Sequence, residues 1–230
     1  MKTRKRNLTT KPTYHSYPIL TDAKKGLATD TDILRNIEAQ FRYAERTKSK
    51  AYFMRFDLHF PQEGMAVSPD NRHFSTFMSR FMKTLSRQSL KPQYCAVREQ
   101  SRREEGRHHY HVVMFLDGQK TQSTHNHLAA AERLWENELS LPPKEGGYGL
   151  VDHCNSLRKE DGLMPNGIRL DRNSYSDGDR RDWCFRWASY LAKENTKGSP
   201  DGCREYFASQ LPPEYRPAKP KKSKSNDDGD

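Results

Sequence analysis

A chain of 230 residues, 33% hydrophobic and 30% charged, has room for one sizeable domain with polar extensions or for two small ones. Its 40 lysines and arginines exceed 30 acids, and the net charge of +10 points to an anionic partner, most simply nucleic acid. No aliphatic stretch exceeds the length of a buried strand, which excludes a membrane span, and the basic start lacks the apolar run of a signal peptide. Four scattered cysteines (Cys95, Cys154, Cys184, Cys203) form no CxxC pair, so neither a zinc knuckle nor a disulfide framework is indicated and a reducing cytoplasm fits.

Residues 1–28 are basic, broken by Pro12 and Pro18, and read as a loose arm. A helix follows over Thr29–Thr47, with Ile33, Ile37 and Phe41 every four residues and Thr29, Asp30 and Thr31 as N-cap candidates. Residues 50–60 alternate as a strand. Tyr52, Met54, Phe56, Leu58 and Phe60 face a core, while Ala51, Phe53, Arg55, Asp57 and His59 face elsewhere. Ser68-Pro69-Asp70 starts a helix that runs to about Gln88. Its Phe74, Phe77, Met78, Phe81 and Leu85 form a core stripe.

Residues 94–116 read as a β-hairpin with a long charged loop ending at Gly106. On its second strand His109, His111, Val113 and Phe115 share one face, because side chains alternate along a strand. Glu99 has matching parity on the first strand and falls opposite His109 if the loop closes symmetrically. Two imidazoles and one carboxylate then converge as an open divalent-metal site. Asp57 and His59 are the candidates to support it from the neighbouring strand. His108 and Arg98 have the wrong parity to join. His125-Asn126-His127 is a decoy, since it opens the helix expected over Thr124–Leu139, where i and i+2 do not face each other.

Gly149–Asp152 and Gly167–Leu170 are short strand candidates, and Asp179 to about Lys197 is the last helix. On that helix Trp183, Cys184, Trp187, Ala188 and Leu191 make an apolar side. Arg186, Tyr190, Lys193 and Lys197 make an adjacent one. Tyr190 is the candidate nucleophile: nearby cations are expected to favour its phenolate, and covalent catalysis then becomes feasible. Tyr206 and Tyr215 are weaker choices because they fall in or near the polar tail. Three segments result: a basic arm plus helix over 1–48, a catalytic domain over 49–197, and a tail over 198–230, disordered from about 212.

The order of a strand, then His109-Tyr110-His111, then Tyr190-Leu191-Ala192-Lys193 on a helix resembles the HUH endonucleases, the rolling-circle replication initiators and relaxases. GRHHYHVVMFL and RWASYLAK look most like the inovirus-type initiators and their prophage-borne YagK/YfjJ-like relatives. The resemblance implies an α+β fold, a palm with a central antiparallel sheet, helices packed on one face and the active site on the other. It further implies Mg2+ or Mn2+ held by Glu99, His109 and His111, and attack by Tyr190, supported by Lys193, on single-stranded or extruded origin DNA. The products are a 5′-phosphotyrosine and a 3′-OH that primes rolling-circle synthesis. Arg55, Arg98, Arg102, Arg103, Arg186 and Lys197 are read as DNA-backbone contacts. A host helicase and polymerase are the implied partners, in the cytoplasm of a bacterial host, with no membrane and no small-molecule cofactor. The single tyrosine of the last motif argues against a two-tyrosine strand-transfer cycle. Two rivals are a non-catalytic single-strand binder, although parity puts its stacking candidates Tyr52, Tyr94 and Tyr110 on the expected core face, and a zinc hydrolase that uses the same histidines and attacks with water.

Overall fold

The computed structural model describes residues 6–62, 69–100, 108–154, 166–174, 178–194 and 203–217. Its centre is an antiparallel sheet. Strand β5 (Lys50–Leu58) pairs with β7 (His108–Asp117), and β7 pairs with β6 (Gln93–Gln100). Strand β10 (Tyr206–Ala208) closes one edge against β6. At the other edge β5 is shared: β9 (Ile168–Asp171) takes Lys50–Phe53, and β8 (Val151–Asp152) takes Asp57–Leu58. Because β5 and β6 both run antiparallel to β7, the chain must cross over between them, and helix α2 (Arg72–Arg87) makes that crossover.

Alternation on β5 divides the sheet between two cores. Tyr52, Met54, Phe56 and Leu58 join Phe74, Phe77 and Phe81 of α2 and Leu128 and Trp135 of helix α3 (His125–Glu138). Ala51 and Phe53 face the other way. They join Ile37 and Phe41 of helix α1 (Thr31–Thr47) and Phe185 of helix α4 (Gly178–Ala188). The α+β class and antiparallel sheet are therefore those expected, while helices cover part of the site face as well. β5 is buried on both sides, so its second face is a core at one end and a buried polar site at the other. Tyr52 and Tyr110 are sealed inside the first core and offer no base-stacking surface.

The arm expected over 1–28 is tied down where it is described. Strand β1 (Leu8–Thr9) pairs with β4 (Thr29–Asp30), strands β2 (Thr13–Tyr14) and β3 (Tyr17–Pro18) form a hairpin, and the Tyr17 ring stacks on Phe185 at 4.2 Å. Asp30 caps α1 by accepting from the amides of Asp32 and Ile33 at 2.8 and 3.3 Å, a contribution of about 1 kcal/mol. The polar tail, where it is described, is likewise ordered around β10, whose Phe207 is buried. Tyr206 donates its phenol proton to Cys95 Sγ at 3.3 Å, so it belongs to the sheet and not to a tail.

The last helix is shorter than its apolar pattern predicts. It ends at Ala188 and tightens into a 3-10 turn over Ser189–Ala192. The buried Ser189 hydroxyl donates to the Arg186 carbonyl at 2.6 Å and accepts from the Leu20 amide at 2.8 Å, which competes with the helical ladder. Lys193 is then extended and bridges to Thr29. Among the described residues no helix is long and apolar enough to cross a membrane.

Candidate metal centre and tyrosine

Register alone assembles the centre. The β6–β7 ladder sets Glu99 opposite His109, and the β5–β7 ladder sets Asp57 opposite His111. His109 Nε2 lies 3.1 Å from His111 Nε2, and Glu99 Oε2 lies 3.2 Å from His111 Nε2 and 4.0 Å from His109 Nε2. Metal bonds of about 2.0–2.2 Å place neighbouring ligand atoms roughly 3.0–3.6 Å apart, so the three atoms fit around one ion with little adjustment. Two nitrogens and one carboxylate oxygen suit Mn2+ better than Mg2+, which favours all-oxygen octahedra. The His109 side chain is 22% exposed against 5% for His111 and 2% for Glu99, so the centre opens on the His109 side.

Asp57 completes the arrangement from the adjacent strand. His111 Nδ1 donates to Asp57 Oδ2 at 2.7 Å, which fixes the tautomer and leaves Nε2 facing Glu99 and His109. Burial would raise the Asp57 carboxyl, yet the Arg55 guanidinium at 3.2 Å and His111 hold it well below the usual carboxylate range. Burial likewise pushes the His111 imidazole down, but Asp57 and Glu99 flank its two nitrogens and raise it above its ordinary value. His109 behaves oppositely: burial and the neighbouring His111 lower it to about 4, so it stands as a free base. The His59 ring stacks on His109 with centroids 5.4 Å apart.

Tyr190 sits on the 3-10 turn with its ring edge-on to His111, centroids 4.9 Å apart. Lys193 Nζ lies 4.0 Å and the Arg55 guanidinium carbon 4.2 Å from the centre of the same ring. Eclipsing of i and i+3 in a 3-10 turn brings Lys193 onto the ring. The phenol is raised nonetheless, because burial and the Glu99 charge outweigh Arg55. The phenolate expected from neighbouring cations is thus not the resting form. Burial lowers the Lys193 ammonium, with Glu99 acting against it.

The DNA contacts expected at Arg55 and Arg98 are corrected by burial. Arg55 is 1% exposed, spent on Asp57 and the Tyr190 ring. Arg98 is 8% exposed on the opposite face, with Nη2 3.3 Å from His108 Nδ1. Arg186 is exposed on α4, while Arg102, Arg103 and Lys197 lie outside the described residues. In the decoy pair, His127 is buried against the Thr121 hydroxyl at 2.7 Å and His125 is exposed.

Asn166 was not singled out from the sequence, yet it holds the site strand. Its Oδ1 accepts from the Arg55 amide at 3.0 Å, and its Nδ2 donates to the Arg55 and His153 carbonyls at 2.6 Å. A side chain thereby replaces a ladder rung in the gap between β8 and β9. The readable signal is Asn166-Gly167: Gly167 has φ +91, and a Cβ there would run into the Tyr52 phenol oxygen. Cys154 is also buried beside Asp57 and Arg55, with its thiol pushed up by desolvation.

Among known proteins, the family model described as replication-associated protein ORF2/gene II protein matches residues 58–199, more than half of the 230. No curated protein and no solved structure matches the chain.

Proposed function

The chain belongs to this replication-associated protein family, and we propose that it initiates replication as a metal-dependent nickase with Tyr190 as nucleophile. The observation that carries this reading is the edge-on contact of the Tyr190 ring with His111, one of the three grouped donors. Glu99, His109 and His111 would hold a divalent ion, preferably Mn2+, whose chemistry when bound is polarisation of a phosphoryl oxygen.

The protein's own groups do the rest. Tyr190 Oη forms a bond to phosphorus while the bond from phosphorus to the 3′ oxygen breaks. The phenol gives up one proton and the departing 3′ oxygen gains one, leaving a 5′-phosphotyrosine and a free 3′-OH. Because the resting phenol is raised, deprotonation must accompany substrate arrival. The phosphate is itself anionic and does not favour the phenolate; a divalent ion held by Glu99, His109 and His111 would, and Arg55 and Lys193 against the ring stabilise the anion as it forms. Asp57 keeps His111 in the metal-binding tautomer, and Arg55 keeps Asp57 ionised.

The test is incubation with a single-stranded origin oligonucleotide and Mn2+, followed by a denaturing gel. A covalent protein–DNA band that disappears in Tyr190→Phe is the expected result. Cleavage that survives Tyr190→Phe would transfer the chemistry to a metal-bound water, and binding without cleavage would reduce the protein to a single-strand binder.

A further inference from the structure

The four helices among the described residues differ in charge pattern. α1 carries Asp32, Glu38 and Glu45, α3 carries Glu132, Glu136 and Glu138, and α4 carries Asp179 and Asp182. α2 carries no carboxylate at all. Its exposed residues are Arg72, Ser75, Ser79, Arg80, Lys83, Ser86 and Arg87: cations and hydroxyls only. At 100° per residue the four cations fall within about 80° of one another, and the three serines occupy the next ~60°. Arg80 meets Glu138 of α3 at 3.1 Å, whereas among the described residues no carboxylate forms an ion pair with the Arg72, Lys83 or Arg87 side chain.

The acid at this N-terminus stands just outside the helix: Asp70 Oδ1 accepts from the Arg72 amide at 3.0 Å, while the first turn itself holds Arg72 and His73. A face selected only for solvation mixes both signs, as the other three helices do. Cations interleaved with hydroxyl donors, without any acid, match instead the phosphate row of a nucleic acid.

We propose that the outer face of α2 is a duplex-DNA binding surface, separate from the centre that acts on a single strand. α2 packs on the sheet face opposite Glu99, His109 and His111, so a short single strand in that centre does not occupy it. From Arg72 to Arg87 the helix rises about 22 Å, the span of roughly six base pairs at 3.4 Å each. A surface of that length holds the unmelted arm of an origin while the opened strand lies in the centre. This assignment of the two DNA forms rests on the nickase reading above; the binding surface itself does not.

The test uses the full chain and a 20-base-pair duplex of arbitrary sequence, with affinity followed by fluorescence anisotropy across a salt series. The variant is Arg72→Gln with Lys83→Gln and Arg87→Gln. Removing three phosphate contacts is expected to flatten the slope of log K against log salt by about 2.7. Duplex affinity near physiological salt should fall at least tenfold. Cleavage of a short single-stranded oligonucleotide stays at the parent level, and the melting temperature does not fall. Three results would overturn the proposal: no duplex binding by the parent protein, an unchanged slope in the variant, or an equal loss in Arg42→Gln with Arg46→Gln and Arg133→Gln, which removes the same charge elsewhere. Anionic vesicles that bind through α2 while the duplex does not would overturn it too. A parent that never cleaves but shows the α2-dependent slope refutes the nickase and leaves the duplex surface standing.

Discussion

Replacing Asp57 with asparagine separates the carboxylate that orients His111 from the three grouped donors Glu99, His109 and His111. In the parent protein Asp57 Oδ2 accepts the His111 Nδ1 proton at 2.7 Å and faces Arg55 Nη2 at 3.2 Å. An asparagine keeps one acceptor but loses the charge that holds both partners. Losing the orienting bond should weaken Mn2+ binding by about 10–100-fold, or roughly 1.4–2.7 kcal/mol. A second cost is structural, because Arg55 is 1% exposed and loses its counter-ion. Uncompensated buried charges cost about 3–5 kcal/mol. The retained acceptor favours the lower end, so the metal-free protein should melt about 6–12 °C lower. Calorimetric Mn2+ titration well below the melting point reads the first effect, and a thermal scan without metal reads the second. A folded Asp57→Asn protein with parental Mn2+ affinity would refute the role given to this carboxylate.

His109→Ala should lower Mn2+ affinity more than 100-fold, by order of magnitude for a lost ligand, while His108→Ala leaves it unchanged, as titration of both would show. Asn166→Ala strands the Arg55 amide and two carbonyls; a loss of about 3 kcal/mol in urea unfolding is expected. Lys48 is 4% exposed and hydrogen-bonded to Gln93, and burial lowers its ammonium to about 8. Its folded value therefore lies below the unfolded one, and between them the unfolded chain binds more protons. Lys48 should accordingly add up to about 3 kcal/mol of stability between pH 8 and 10, read as the difference between the pH profiles of the parent and Lys48→Met, because the buried Cys95 and Cys154 thiols, pushed up by desolvation, pull both profiles the other way. Parallel profiles for the two proteins would remove the role given to Lys48.

Period-two alternation and hairpin pairing made the grouping of Glu99, His109 and His111 legible, because parity decides which side of a strand a residue occupies. The apolar stripes of α1, α2 and α3 were legible for the same kind of reason. What failed depended on distant chain. Arg55 reads as a surface cation until Asp57 and Tyr190 are placed around it. The end of α4 could not be foreseen, since Ser189 bonds Leu20 from the far end of the sequence. Tyr206 lies in a polar stretch, and only the open edge of β6 makes it a strand residue. The raised Tyr190 phenol was missed because a helical wheel counts neighbouring cations but neither burial nor Glu99 across the groove.

Mapping the covalent adduct tests the nicking reading most directly. After reaction with a single-stranded origin oligonucleotide and Mn2+, nuclease trimming and tryptic digestion, mass spectrometry should find the residual nucleotide on the peptide spanning 187–193, at Tyr190. A nucleotide on a peptide carrying Tyr206 or Tyr215, or cleaved DNA with no adduct on any peptide, would contradict it.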